Sequence, residues 1–144
     1  MPQPIVIFGG LLSFGVAYWP MREALQRHTG RPVWVVETLG HEWWAIAAPL
    51  GWAYLLGKLD RTVQRAARGS PTGRVTLIGH SAGGVLSRLY LSPAPFLGRV
   101  YRGLDYVDHL ITLGSPHYNL GPLSRGGWMS RRVYKAYPGA YFAP

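Results

Sequence analysis

Hydrophobic positions in this chain follow two alternating rhythms: short unbroken apolar runs, and longer stretches with apolar residues at helical spacing. Glycine or proline stands at each junction. Residues 5–8, 33–37, 74–78 and 108–113 are the short runs and read as strands. Residues 16–28, 53–68 and 82–91 read as helices, the second with Leu55, Leu56, Leu59 and Val63 along one face. Gly30-Arg31-Pro32 resets the chain after the first helix, Gly69-Ser70-Pro71 ends the second, and Ser92-Pro93-Ala94-Pro95 ends the third. Near-continuous hydrophobic strands separated by helices predict an α/β fold, a mainly parallel sheet with helices on both faces. In such sheets function gathers beyond the carboxyl ends of the strands. Gly9-Gly10, Ser81 and Gly114-Ser115-Pro116-His117 all fall there.

Composition narrows the picture. A chain of 144 residues with 48% hydrophobic content suits one domain, residues 1–144, with a sizeable core. Fifteen lysines and arginines against six acids give a net charge of +9. Most of the arginines are scattered between Arg61 and Arg132, as in a generally basic surface, and such a surface suits anionic partners. Peripheral contact with an anionic membrane is compatible with it; nucleic acid is not expected, because no recognition-helix pattern, zinc ligands or basic-aromatic repeat accompanies the charge. The absence of cysteine excludes disulfides, thiolate catalysis and cysteine-bound metals. No basic leader and small-residue cleavage site precede the first strand, so the chain reads as cytoplasmic. The longest apolar stretch, residues 43–56, is interrupted by Pro49 and Gly51 and falls short of the roughly 20 residues that span a bilayer.

The chemistry concentrates in Gly79-His80-Ser81-Ala82-Gly83, directly after the third strand and directly before the third helix. A strand-to-helix turn this sharp holds its central residue in a strained conformation and leaves no room for bulky neighbours two positions away; Gly79 and Gly83 occupy those positions. The serine oxygen then stands clear of the sheet, while the Ala82 amide points to where an oxyanion would form. Ser81 therefore reads as an acyl-accepting nucleophile. The elbow backbone directs His80 sideways, to pack beside the nucleophile.

Three stretches make the chain resemble the α/β-hydrolase superfamily, and more narrowly its lipases and esterases. One is this elbow. Another is Pro4-Ile5-Val6-Ile7-Phe8-Gly9-Gly10-Leu11-Leu12-Ser13, similar to the strand and oxyanion loop of those enzymes, with Gly9 where the family usually has histidine. The third is Leu110-Ile111-Thr112-Leu113-Gly114-Ser115-Pro116-His117, which resembles the strand and turn after the nucleophile helix. The resemblance implies that the Leu11 amide completes an oxyanion hole with that of Ala82, that no cofactor or metal is needed, and that the substrate is a small-molecule or lipid carboxylic ester. An acyltransferase would use the same site.

The resemblance also exposes a deficit. The family order is serine, acid, histidine, and after Ser81 the chain offers only Asp105, Asp108, His109 and His117. The two aspartates fall at the amino end of the fourth strand, away from the serine. His117 lies at the correct edge, but the resemblance gives it a structural or pocket-lining role, and His109 reads as a core or surface residue. The expectation is an amino-terminal part of a longer hydrolase, truncated after the fourth strand, with residues 134–144 as a helix end and turn leading onward. The alternative is a catalytically incomplete module that binds a lipid or protein.

His41-Glu42 lacks metal-ligand spacing. The tryptophan pair Trp43-Trp44 reads as core packing, with a lid or interfacial patch as the functional alternative. Arg61, Arg65 and Arg68 recur at helical spacing and read as a solvated face.

Overall fold

The computed structural model describes residues 2–117 apart from Leu12 and Ala48. Four strands, β1 (Ile5–Phe8), β2 (Val33–Val35), β3 (Val75–His80) and β4 (Val107–Leu113), form one parallel sheet in the order β2-β1-β3-β4. Three helices connect them: α1 (Trp19–Thr29), α2 (Pro49–Arg68) and α3 (Ala82–Tyr90). The predicted α/β class, with helices on both faces of a parallel sheet, is the one observed. The expected turn at residues 134–144 lies outside the described residues.

The sheet is built from the centre outwards. β1 is fully buried and pairs on both sides, Ile5 with Val33 of β2 and with Thr76 of β3. One side chain set of the sheet, with Val6, Phe8 and Leu77, meets Leu55, Leu56, Leu59 and Val63 of α2 and Leu86 and Leu89 of α3. The other, with Ile5, Ile7, Val33 and Ile78, meets Tyr18, Met21 and Leu25 on and before α1. Alternation along each strand thus sends neighbouring residues to opposite cores. A buried network holds α2 to α3 and to the following loop: Asp60 accepts from the Tyr90 hydroxyl at 3.1 Å and from Arg99 at 2.9 Å.

Element boundaries differ from the expectation in instructive ways. The first helix opens with a 3-10 turn (Gly15–Tyr18), and the α-helix begins only at Trp19, with Pro20 in its first turn, where a missing N–H costs nothing. Gly30 ends it in the left-handed conformation (φ 65°), its amide bonded to the Gln26 carbonyl. The second helix begins at Pro49 rather than at residue 53, and a 3-10 segment (Gly40–Ala47) replaces the expected loop before it. Gly51 is needed at that junction, because a Cβ there would stand against the Ala45 carbonyl. The third strand continues through His80, two residues further than expected, because Gly79 and His80 still pair with Thr112 and Leu113.

The topology places the site. The chain runs from β1 outward to β2, then crosses back over β1 to β3, so the strand order reverses between β1 and β3. In open parallel sheets the crevice beyond the carboxyl ends at such a reversal is where ligands bind. The segments after Phe8 and after His80 meet there.

Candidate active site

Ser81 is the single residue between β3 and α3, and its backbone sits at φ 52°, ψ −124°. A non-glycine residue pays steric strain at positive φ. Hydrogen bonds on both sides hold it there: the Ser81 amide donates to Leu113 O at 2.9 Å, and its carbonyl accepts from Gly84 N at 3.1 Å.

The glycines around it are required by contact. A Cβ on Gly79 would lie 2.5 Å from Gly84 Cα, and one on Gly83 only 2.2 Å from Gly9 O and 2.5 Å from Phe8 O. A Cβ on Gly10 would lie 2.9 Å from Ser81 Cβ. The start of α3 is therefore pressed against the end of β1, and the loop after β1 against the serine. Ala82 is the first residue of α3, so its N–H belongs to the unpaired first turn.

The loop after β1 is a tight turn. Ser13 closes it twice onto the Gly10 carbonyl, through its amide at 3.1 Å and its hydroxyl at 2.5 Å. Leu11 lies inside this turn, and among the described residues its amide donates to nothing. Thr38, buried beyond β2, braces the same loop: its hydroxyl donates to Ser13 O at 3.3 Å, and its carbonyl accepts from Gly15 N at 3.0 Å.

One participant was invisible in the sequence. The Gly10 amide donates to Tyr18 Oη at 2.8 Å, and Tyr18 Oη lies 2.8 Å from His80 Nδ1. Tyr18 thus ties the loop after β1 to His80, the residue before Ser81. Nothing in the sequence separates Tyr18 from the other aromatics of its segment.

His117, Asp108 and Asp105, which follow Ser81 in the chain, have other partners. His117 Nε2 pairs with Thr112 Oγ1 at 3.0 Å, and its buried Nδ1 has no partner among the described residues. Burial, and then the charge of Arg88, lower its pKa. Arg88 lies seven residues after Ser81, about 10 Å further along the helix. Asp108 is held at the amino ends of the strands by Arg74 at 2.8 Å and Gln3 at 3.0 Å. Asp105 sits before β4 and pairs with Arg102. Among the described residues no hydrogen bond joins Ser81 Oγ to a base.

The loop after β2 completes the rim. Glu42 is fully engaged: Lys58 Nζ at 2.6 Å and 2.8 Å, Tyr54 Oη at 2.6 Å and the Leu39 amide at 2.7 Å. Burial opposes its ionisation, but the Lys58, Tyr54 and Leu39 hydrogen bonds outweigh it and bring its pKa down to about 2. The tryptophan pair divides: Trp43 is buried against Phe8, ring centroids 5.9 Å apart, and Trp44 is 72% exposed.

This arrangement, a strained serine at the reversal point of a parallel sheet, defines the class: the fold is that of the α/β hydrolases. An iodinated complex of an acetyl xylan esterase superposes with a TM-score of 0.56 at 16% identity, covering 84% of this chain and 67% of that one. Residues 54–136, more than half of the chain, match the family described as the PGAP1-like alpha/beta domain, and the chain belongs to it. No curated protein matches. Among the described residues no helix is long and apolar enough to cross a membrane.

Proposed function

We propose that the protein is a serine hydrolase of carboxylic esters in which Ser81 is the nucleophile. The carrying observation is the Ser81 backbone itself, held at φ 52° between β3 and α3 with Gly10 packed against its Cβ. Strain of this kind persists only where the surroundings impose it, and here it lifts a hydroxyl to the sheet's ligand crevice.

In the proposed reaction Ser81 Oγ attacks the ester carbonyl and its proton passes to a base. The amides of Leu11 and Ala82 receive the oxyanion; Gly79, His80 and Gly83 shape the elbow that aims them. Collapse releases the alcohol and leaves an acyl-serine, which water cleaves to acid and free serine. Transfer of the acyl group to another alcohol would follow the same course. The exposed apolar residues Leu11, Phe14, Leu39 and Trp44, on the loops after β1 and β2, support a substrate with an acyl chain, presented in solution or at an anionic membrane surface. A second reading, a hydrolase-fold module that binds such a lipid or a protein without cleaving it, is favoured by one observation: the lack, among the described residues, of a base bonded to Ser81 Oγ.

Hydrolysis of p-nitrophenyl butyrate by the protein expressed from its complete reading frame separates the two. Turnover abolished by Ser81→Ala establishes the hydrolase; retention of an acyl ligand without turnover establishes the module.

A further inference from the structure

α1 and α2 pack on opposite faces of the sheet, and both overhang its free edge at β2. Between them lies a cavity of about 630 Å³, a volume typical of small-ligand sites. Its floor is the strand edge, residues 32–35. Ile5 N donates to Pro32 O and Val36 N to Ile7 O, which fixes the phase of the ladder and turns the N–H groups of Val33 and Val35 outward.

Three guanidinium groups border this cavity: Arg22 from α1, and Arg61 with Arg65 from α2. Arg61 and Arg65 stand one turn apart, where like charges repel. Among the described residues none of the three has an ion-pair partner. Of the other charged residues at the cavity, Lys58 is bound to Glu42, and Glu37 Oε2 lies close to Gly15, where a Cβ would stand 2.6 Å from it. Trp34 lines the same cavity and is 42% exposed. Edge protection explains a cation beside a free strand. It does not explain three unneutralised arginines around one concavity with an indole in its wall.

We infer that this cavity binds a phosphate-bearing small molecule. Guanidinium forks match phosphate oxygens in pairs, and the outward amides of Val33 and Val35 add donors along the strand edge. The rest of the ligand lies against Trp34. The phosphate belongs either to a soluble ester or to a phospholipid head group. The site is separate from Ser81 and stands or falls independently of the hydrolase reading.

Calorimetric titration of the whole protein with inorganic pyrophosphate and with glycerol 3-phosphate tests this, alongside sedimentation with phosphatidylcholine vesicles with and without phosphatidic acid. At least one phosphate probe should bind saturably to the wild type, to Ser81→Ala and to the double variant R27Q/R68Q. R27Q/R68Q removes two exposed arginines of the same helices that lie outside the cavity. R61Q/R65Q should weaken binding roughly tenfold or more, with an unchanged circular dichroism spectrum, since glutamine matches arginine in helix propensity. Binding of the soluble probes alone points to a soluble ester; capture by phosphatidic acid vesicles that R61Q/R65Q abolishes points to the head group. The inference is overturned if no probe binds saturably, or if the two double variants lose binding equally, because net charge rather than the cavity would then be responsible.

Discussion

Replacing Gly83 by alanine should injure stability and catalysis together. The new Cβ would stand 2.2 Å from Gly9 O and 2.5 Å from Phe8 O. A comfortable carbon–oxygen approach is about 3.3 Å, so the start of α3 must retreat from β1 by about 1 Å. Both obstacles are main-chain oxygens, and no rotamer change relieves them. Overpacking of this kind costs about 1–3 kcal/mol, and the better helix propensity of alanine returns at most about 1 kcal/mol. The net loss of up to about 2 kcal/mol should lower Tm by up to roughly 8 °C for a domain of this size. The Ala82 amide moves with the helix, and a shift of about 1 Å at a reacting centre costs on the order of 100-fold in rate. Gly57→Ala in α2 is the control: its Cβ would meet only Arg61 Nη1, at 3.5 Å, and should stabilise by up to about 1 kcal/mol through helix propensity. Thermal melts and p-nitrophenyl butyrate kinetics read both effects. If Gly83→Ala melts with the wild type and keeps its rate, the close packing of α3 on β1 is wrong.

Other outcomes follow from the same contacts. Tyr18→Phe removes the acceptor for Gly10 N–H and the hydrogen-bond partner of His80 Nδ1; it should leave the fold intact by circular dichroism and lower kcat by roughly 10-fold or more, since a freed loop amide costs about 1–3 kcal/mol. The Glu42 pKa is depressed, from 4.5 to about 2, so its contribution is complete above pH 4.5 and disappears as pH falls from there through about 2. The shift sets a ceiling of about 3 kcal/mol. Because the Lys58 side chain is 21% exposed, solvent screening reduces this to about 1–2 kcal/mol. Glu42→Gln should therefore unfold more easily in urea at pH 7, and the gap from wild type should close on acidification; a gap that stays constant between pH 7 and pH 3 would contradict the assignment. Asp60→Asn replaces the carboxylate that accepts from Tyr90 and Arg99 and should lower the urea midpoint, whereas Arg102→Gln, at an exposed pair, should leave it within error of the wild type.

What the sequence made legible was whatever rests on periodicity or on hard sterics. The four apolar runs became the four strands; β1 and β3, buried nearly throughout, have no other composition available to them, while β2 and β4 leave several side chains exposed. The elbow glycines were readable because the contacts at Gly79 and Gly83 admit nothing larger. Pro49 and Gly51 misled the reading of α2: proline is welcome in a first helical turn, and Gly51 answers to the Ala45 carbonyl, a tertiary contact that local propensity cannot express. Trp43 and Trp44 are adjacent and chemically identical, so only the direction of each side chain separates a core residue from a rim residue. Tyr18 was missed for a similar reason. Its ring satisfies the hydrophobic pattern, while its function at the site lies in a hydroxyl that meets His80 across 62 positions of chain. Arg61, Arg65 and Arg68 are exposed on α2, as their helical spacing predicts.

The central claim is that Ser81 is an acyl-accepting nucleophile, and covalent labelling tests it most directly. The protein from its complete reading frame, treated with an alkyl fluorophosphonate and digested for mass spectrometry, should carry one phosphonyl adduct, on the peptide containing Ser81, and lose it in Ser81→Ala together with ester hydrolysis. An unlabelled Ser81, or hydrolysis that survives Ser81→Ala, would contradict the account.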